Sequence, residues 1–302
     1  IFNSFISIAF EMGMGRNFGF IRFILLFLTT NYFFLYFKKS KTVYKIWFLV
    51  IFVIIIDSFV EFFFGRNILG YGELYGNRLV SFFKDEPIVG AYLNGFILIL
   101  SGYIFDKFSE KKLIFKILVT CIIILFFACV LVTGERSNTF KIFFGLLLFI
   151  YFSRNFNIKI KIAITSAIIL LFLLIASNSS YLKGRYGIQL FSQLSTKEKR
   201  TEFYKSSFYF TLYRSGIAVF KDYPLFGVGN KNYRVVTCEK PVANKNYHCL
   251  THPHQIYIEF LSEHGAIGTI ILLTLIFILI FKNIKVIILS RNSIQLGSFI
   301  YL

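Results

Sequence analysis

Negative charge is scarce in this chain. Its 302 residues hold 15 Asp and Glu against 33 Lys and Arg, a formal charge of +18, and charged residues make up only 16% of the total. A water-soluble domain carries roughly a quarter. Proline is rare, with four residues, and so is cysteine, also four, with no C-x-x-C pair to organise a metal site. No signal-peptide pattern opens the sequence, and none is needed if the first membrane helix serves as the insertion signal. These shortages exclude an ordinary soluble domain, and what fills their place agrees: 56% of residues are hydrophobic, 20% are aromatic, 41 are Phe, and the mean hydropathy is +0.68. The apolar residues fall in runs too long for a soluble core, so the chain is expected to be all-α, a polytopic transmembrane helical bundle. Its excess cations then belong in loops, setting topology or meeting anionic lipid, and nucleic-acid binding is the weaker reading of the charge.

Segments long enough to span, or nearly so, run over 18–37, 46–64, 88–105, 113–133, 140–152, 162–176 and 255–281, with parts of two more at 1–10 and 286–302. The 140–152 run is short, but Lys141 and Arg154 extend it by snorkelling. The chain begins at Ile1 rather than Met and stops inside an apolar stretch, so further helices are expected beyond both ends. Loop charge alternates. Lys38, Lys39, Lys41 and Lys45 fill one loop, Lys107, Lys111 and Lys112 the next but one, then come Arg154, Lys159 and Lys161, then Lys282, Lys285 and Arg291. The positive-inside rule makes these four loops cytoplasmic and puts 11–17, 65–87, 134–139 and 177–253 outside. The expected organisation is N-terminal membrane helices over 1–176, a large outside loop over 177–253 and C-terminal membrane helices over 254–302.

At 77 residues, the 177–253 loop exceeds what a bundle needs as a linker. Its aromatic residues, among them Phe203, Tyr204, Phe208, Tyr209, Phe210, Tyr213 and Phe220, argue against disorder and for a helical or interfacial subdomain on the membrane. Twelve cations against four acids give it +8. Attraction to anionic headgroups accounts for that charge, and so does a site for an anionic substrate. Cys238 and Cys249 lie in this loop with ten residues between them, in a compartment where disulfides persist, and are expected to pair. A zinc site from Cys238, His248, Cys249 and His252 is the alternative, against which stands the missing C-x-x-C pair, and no metal is expected. Cys121 and Cys129 fall inside an apolar span and are expected to be buried packing residues. Asp57 and Glu61, four apart on one face of a span, are expected to form a structural ion pair with Arg66 or another arginine rather than to contact substrate.

The densest run of unusual residues closes the loop. Thr251-His252-Pro253-His254-Gln255 leads through Glu259 and Glu263-His264-Gly265-Ala266-Ile267-Gly268 into a long apolar stretch, and all four histidines lie between 248 and 264. Pro253 suits the first turn of a helix capped by Thr251 or His252, so a helix is expected to begin here at the outer face. On a straight helix Gly265 and Gly268 return to within about 40° of His254, while Glu259 and Glu263 point the other way. One face would then carry an imidazole above two glycines that allow close helix approach. A lone interfacial His is commonly bland; one set at a helix start beside a basic outside loop reads as a working group.

His254-Gln255, followed after nine residues by Gly265-x-x-Gly268, resembles the signature of the O-antigen ligase and O-antigen polymerase superfamily. Phe220-Lys221-Asp222-Tyr223-Pro224-Leu225-Phe226-Gly227-Val228-Gly229-Asn230 resembles that family's Pro-x-x-Gly-x-Gly element, which lies in its large periplasmic loop. The match is strong over 216–280, within a related region spanning 120–280. Fainter echoes are Arg78-Leu79-Val80-Ser81-Phe82-Phe83 with Glu86 and Gly90, and Thr133-Gly134-Glu135-Arg136-Ser137 at a helix start. Gln255 stands where Asn is more usual, and no Trp precedes the Pro-Gly element.

The resemblance implies a metal-independent, inverting glycosyltransferase of the bacterial inner membrane, its site facing the periplasm, with no cofactor. The donor would be a glycan on undecaprenyl pyrophosphate and the acceptor lipid A core or another glycan repeat, the point on which ligase and polymerase differ. His254 carries over onto the motif as the group that activates the acceptor hydroxyl. Arginines of outside loops would hold the pyrophosphate, Arg136 and Arg185 first and Arg214 third, with a topological or lipid-contact role as the alternative for each. The chemistry suits these types, since a sugar hydroxyl needs a base titrating near neutrality and a departing diphosphate needs bidentate donors. The competing class is a non-enzymatic transporter or flippase of the same lipid-linked glycans. Such a protein should place charge along a mid-bilayer path, whereas here the unusual residues gather at the outer face.

Overall fold

The computed structural model describes residues 2–37, 40–72, 78–108, 113–153, 156–188, 195–239, 244–289 and 292–301. Of the cations named or counted above, Lys38, Lys39, Lys111, Lys112, Arg154, Lys240 and Arg291 lie outside the described residues, as does the side chain of Lys285. The described structure is helical and carries no strand, an all-α architecture.

Every one of the seven apolar runs forms a helix. Helices α1 (Phe10–Phe37), α2 (Ser40–Phe64), α3 (Val89–Phe108), α4 (Leu113–Val132), α5 (Arg136–Phe152) and α6 (Ile158–Asn178) precede the large loop. Two more, α7 (Lys197–Ser206) and α8 (Phe208–Asp222), lie within it, and α9 (Ile256–Leu289) and α10 (Ser293–Tyr301) follow. Five stretches, Phe10–Phe37, Lys41–Phe64, Val89–Phe108, Ile158–Asn178 and Ile256–Ile284, are long and apolar enough to cross a membrane, and Ile117–Val132 is a shorter apolar helix. Of the two partial spans expected at the ends, the one at 1–10 takes another form. Residues Phe2–Phe5 make a short helix followed by bends, because Asn3, Ser4 and Ser7 are engaged in hydrogen bonds, and the expected outside loop 11–17 is the start of α1. At the other end, helix α10 covers Ser293–Tyr301.

The chain divides into two compact units, one of Lys39–Ser192 with Phe281–Leu302 and the other of Ile1–Lys38 with Gln193–Ile280. The first is a bundle of α2 to α6 and α10, around a core in which Ile55, Leu93, Ile97, Phe126, Ile142 and Phe149 are fully buried. Glycines set the crossing of α10 on α3: a Cβ on Gly102 would meet the backbone of Ser293, and one on Gly297 the backbone of Leu98. The start of α10 is held by Asp106, whose carboxylate accepts from Ser293 N at 2.9 Å and Ile294 N at 3.3 Å. That supplies the acceptor which the first turn of any helix lacks. Cys129 is buried, but Cys121 is exposed, contrary to expectation. Eight positions turn a helix by about 80° beyond whole turns, enough to carry Cys121 off the packed face.

Asp57 and Glu61 are both buried. The bonds described for them run to the connection after α2. Glu61 accepts from Val80 N at 3.0 Å and Ser81 N at 2.6 Å, and Asp57 from Ile68 N at 2.9 Å and Asn67 Nδ2 at 3.2 Å. The physical reason is that this connection returns against α2 with N–H groups outside any regular helix, and such groups need acceptors when buried. Glu61→Gln puts an amide donor against two N–H groups. It should lower stability by about 1–3 kcal/mol, read as an earlier thermal melt of the solubilised protein, while Asp85→Asn at an exposed site leaves the melt unchanged.

Candidate active site

The unit of Ile1–Lys38 and Gln193–Ile280 contains both sequence motifs, and a break in α9 joins them. Gly265 has φ 64° and ψ −167°, outside helical space. A broken helix leaves carbonyls on one side and N–H groups on the other without partners, and inside an apolar span protein must satisfy them. The Pro224–Gly229 element does so. Val228 N donates to Ser262 O at 3.0 Å and Gly229 N to Glu263 O at 2.9 Å, while Ala266 N donates to Pro224 O at 2.8 Å and Ile267 N to Leu225 O at 3.2 Å. The two motifs are the two halves of one backbone clasp. Its glycines are required by it: Gly227 and Gly265 hold φ of 69° and 64°, and a Cβ on Gly227 would strike the backbone of Glu263, one on Gly265 that of Leu225.

Two expectations are corrected here. The break interrupts the helical register, so Gly265 and Gly268 do not share one straight face with His254; Gly268 instead lies against His264, whose Cβ a side chain there would meet. The helix also begins at Ile256 rather than at Pro253, because His254 takes a left-handed φ of 56° that no helical turn accommodates. Neither Thr251 nor His252 is the cap. Gln255 is, its side-chain oxygen accepting from Ile258 N at 2.6 Å.

Helix α8 holds the histidine segment from behind. Its buried face, Leu212, Ser215, Gly216, Ala218 and Val219, follows helical spacing, and Gly216 lets Pro253 and Ile258 come close. Ser215 Oγ accepts from His248 N at 2.8 Å and from the Tyr233 hydroxyl at 2.7 Å. Tyr233 is fully buried in a small core with Val219, Val228 and Val236. Asp222 accepts from the Tyr247 hydroxyl at 2.7 Å and Asn244 Nδ2 at 3.0 Å, bonds from Asn244 and Tyr247 that hold its carboxyl below the usual range. A disulfide joins Cys238 and Cys249, S–S 2.10 Å, which leaves neither thiol for a zinc site. Among the described residues, no three His, Cys, Asp or Glu are grouped to hold a metal. Glu263, only 4% exposed, accepts from Tyr233 N at 3.4 Å and from the Lys231 N–H. Asn3 laces the N-terminal residues onto the clasp, donating to Phe226 O at 3.1 Å and Glu263 O at 3.3 Å and accepting from Asn230 N at 2.8 Å.

His254 is exposed, its ring centroid 4.1 Å from that of His252 and 6.1 Å from that of Tyr209. His252 Nδ1 lies 2.9 Å from Thr251 Oγ1. Partial desolvation and the neighbouring His252 hold the His254 pKa below the ordinary imidazole value, with Glu259 acting the other way. A neutral imidazole at pH 7 is able to accept a proton. His264 stacks against Phe260 at 4.5 Å, and His248 meets the edge of Phe208 at 5.9 Å.

In the Lys39–Ser192 unit, Arg136 and Arg185 come together. Arg136 opens α5, and Arg185, in the helical turn 183–188, donates through Nη2 at 3.1 Å and Nε at 3.4 Å to Gly134 O. Arg78, legible in the sequence only as part of a faint echo, is added to them. The charges of Arg185, Arg78 and Arg136 all act on the Tyr181 hydroxyl, which lies against Gly134; burial nevertheless raises its pKa, so it remains an O–H donor. Arg78 Nε and Tyr181 Oη are two of the three buried side-chain atoms without a hydrogen-bond partner among the described residues, the third being Ser101 Oγ. Orphaned donors beside three guanidinium groups suit an anion. The adjacent Glu135 is occupied elsewhere, accepting from Gly90 N at 2.7 Å and Ala91 N at 3.1 Å at the start of α3 and from Asn138 Nδ2 at 2.6 Å. Arg214 belongs to the other unit, is exposed, and donates to Lys205 O at 3.0 Å and Thr211 Oγ1 at 3.1 Å.

Residues 121–273, half of the chain, match the model of the family described as O-Antigen ligase, a stretch that takes in the Arg136 and Arg185 turns, the Pro-Gly element and the break in α9. The chain belongs to the O-antigen ligase family. No curated protein and no solved structure matches it. As a family member it is a multi-pass membrane protein of the glycosyl-transfer class, with a lipid-linked glycan and an acceptor as its substrates in general terms. The matched stretch leaves out Arg78, which only the three-dimensional arrangement brings to the ligase-family arginines.

Gly265→Ala and Gly227→Ala each force a side chain into left-handed φ, at about 1–2 kcal/mol, and into the opposing backbone. Both should sharply reduce the yield of monodisperse solubilised protein in size-exclusion chromatography, whereas Gly19→Ala in the open flank of α1 should not.

Proposed function

We propose that this protein transfers a glycan from undecaprenyl pyrophosphate to a hydroxyl of lipid A core or of another glycan repeat, at the periplasmic face of the bacterial inner membrane, with inversion and without a metal. The observation that carries the reading is an exposed His254, its pKa held below the ordinary imidazole value by partial desolvation and His252, and fixed beside the clasp by Gln255 and α8, in a chain of the glycosyl-transfer class. In this reading the acceptor oxygen attacks the anomeric carbon, His254 takes its proton, and the bond from that carbon to the diphosphate oxygen breaks with the electron pair leaving on the diphosphate. Arg136 and Arg185 are assigned to the diphosphate, with Arg78 and the Tyr181 hydroxyl beside them because their buried donors have no partner. Arg214 remains a candidate for the same anion. The alternating loop cations support the orientation, with the 177–253 loop outside. The break in α9 is a feature that favours a transporter, in which broken helices offer backbone groups to cargo. Here the Pro224–Gly229 element takes up four of those groups, which favours the enzyme.

The test is a transfer assay with supplied lipid-linked donor, run against both acceptor classes. His254→Ala should cut transfer by about 10²- to 10⁴-fold with insertion intact, and Arg136→Lys and Arg185→Lys should impair it because a point charge cannot reproduce a bidentate fork. His264→Ala is the control; damage equal to that of His254→Ala would demote His254 to a packing role.

The pH profile gives a second test. His254 acts in its neutral form, so transfer falls as pH drops through its pKa, which partial desolvation and then the His252 charge hold down. His252→Gln removes the repulsion, raises the His254 pKa, and should move the acid limb of kcat/KM to higher pH. A limb that stays in place, or moves lower, would break the assignment.

A further inference from the structure

The His254 unit carries a second basic feature that the catalytic reading does not use. A groove of about 540 Å³ is lined by Arg16 and Arg22 of α1 and by Lys231 and Arg234, with Glu11 and Thr251 also in its lining. Lys231 is placed there by the fold: it takes a φ of 61°, and its N–H is bound to the buried Glu263. Arg16 and Arg22 lie over the rings of Phe20 and Phe23 at 5.5 and 4.9 Å. A guanidinium stacked in this way keeps its in-plane N–H groups free for an oxyanion.

Depth distinguishes the ligand. Arg22 lies six residues beyond Arg16, about 9 Å along the helix, within a stretch apolar enough to cross a membrane, where a charge is costly and marks a site. Cations that run from a loop into an apolar helix suit a phosphate held at the membrane surface by a lipid rather than a freely soluble anion. Its lining adjoins the histidine segment. Thr251 Oγ1 is 2.9 Å from His252 Nδ1, and the His252 ring is 4.1 Å from that of His254. In an inverting displacement the base and the acceptor occupy the face of the sugar opposite the leaving group, so a lipid phosphate held next to the base suits the acceptor.

We propose that this groove is an acceptor subsite, binding a phosphate carried on a lipid-anchored sugar through Arg16, Arg22, Lys231 and Arg234. The proposal rests on the reading of His254 as the acceptor's base, and binding can be measured without turnover. The purified full chain is incubated in mixed micelles with diphosphoryl lipid A, a glucosamine disaccharide lipid with two phosphates, or with its dephosphorylated form, then repurified and its bound lipid quantified by mass spectrometry. The wild type should retain the diphosphoryl form and not the dephosphorylated one. The double variant Arg22→Gln with Arg234→Gln should retain at least about tenfold less, and the corresponding double Lys variant should recover part of the loss. Excess phosphatidylglycerol should not displace the lipid, nor should farnesyl diphosphate standing in for the donor. Displacement by phosphatidylglycerol would reduce the groove to a surface for bulk lipid, displacement by the diphosphate would make it a donor site, and equal retention of both lipid A forms would remove the phosphate; each overturns the proposal. His254→Ala should bind as the wild type does. Binding with His254→Ala still active in transfer would sink the catalytic reading alone, and normal catalysis by wild type without phosphate-dependent retention would sink the subsite alone.

Discussion

The unit that carries His254 depends on one constraint: backbone groups freed by the break at Gly265 must find partners where water is not available to supply them. The Pro224–Gly229 element meets that constraint with two donors and two acceptors, and each further contact follows from it. Because Gly229 N holds Glu263 O, the Glu263 carboxylate is brought under the next turn, where it accepts from Tyr233 N and the Lys231 N–H. Tyr233 in turn reaches Ser215 on α8, and Ser215 holds His248 N, which fixes the approach to His254. The glycines of the two motifs are therefore conditions of the site's geometry rather than participants in its chemistry.

The shortage of acids becomes intelligible in the same terms. Asp57, Glu61, Asp106, Glu135 and Glu263 all accept from backbone N–H groups at helix starts or in connections. A carboxylate in an apolar setting is tolerated when several donors surround it, and it then anchors chain segments that lack regular hydrogen bonding. The cations are distributed otherwise. Arg78, Arg136 and Arg185 gather around a buried hydroxyl, and Arg16, Arg22, Lys231 and Arg234 line a groove, whereas these five carboxylates are engaged by the backbone.

What was legible in the sequence was local. Seven apolar runs became helices because apolar length is a property of a window, and the two glycine motifs stood out because their residues are adjacent. The relation between the motifs was not legible. Counting 100° per residue from His254 presumes an unbroken helix, and a glycine at position 265 is compatible with both a close crossing and a break; the partner at 224–229 decides which, 36 or more residues earlier in the chain. Residues 1–10 read as apolar from Ile1, Phe2, Phe5 and Ile6, yet Asn3, Ser4 and Ser7 direct them into polar contacts. Tyr181 escaped notice, and Arg78 stood only in a faint echo, for another reason. Their distinction is that a buried donor has no partner, and a missing partner has no signature in one dimension.

Asn3 is bound to Phe226 and Glu263, which follow it by 223 and 260 residues. During synthesis the N-terminal residues emerge long before either partner exists, and the intervening helices must all be in place before the strap can tie. Contacts of such separation form late, after their loop-closure entropy has been met by other packing. The arginine cluster of the Lys39–Ser192 unit is built from residues much nearer in sequence and is free to assemble earlier. A chain arrested in translation before Glu263 would thus hold Arg78, Arg136, Tyr181 and Arg185 but no clasp, so the histidine segment is fixed later than the arginine cluster.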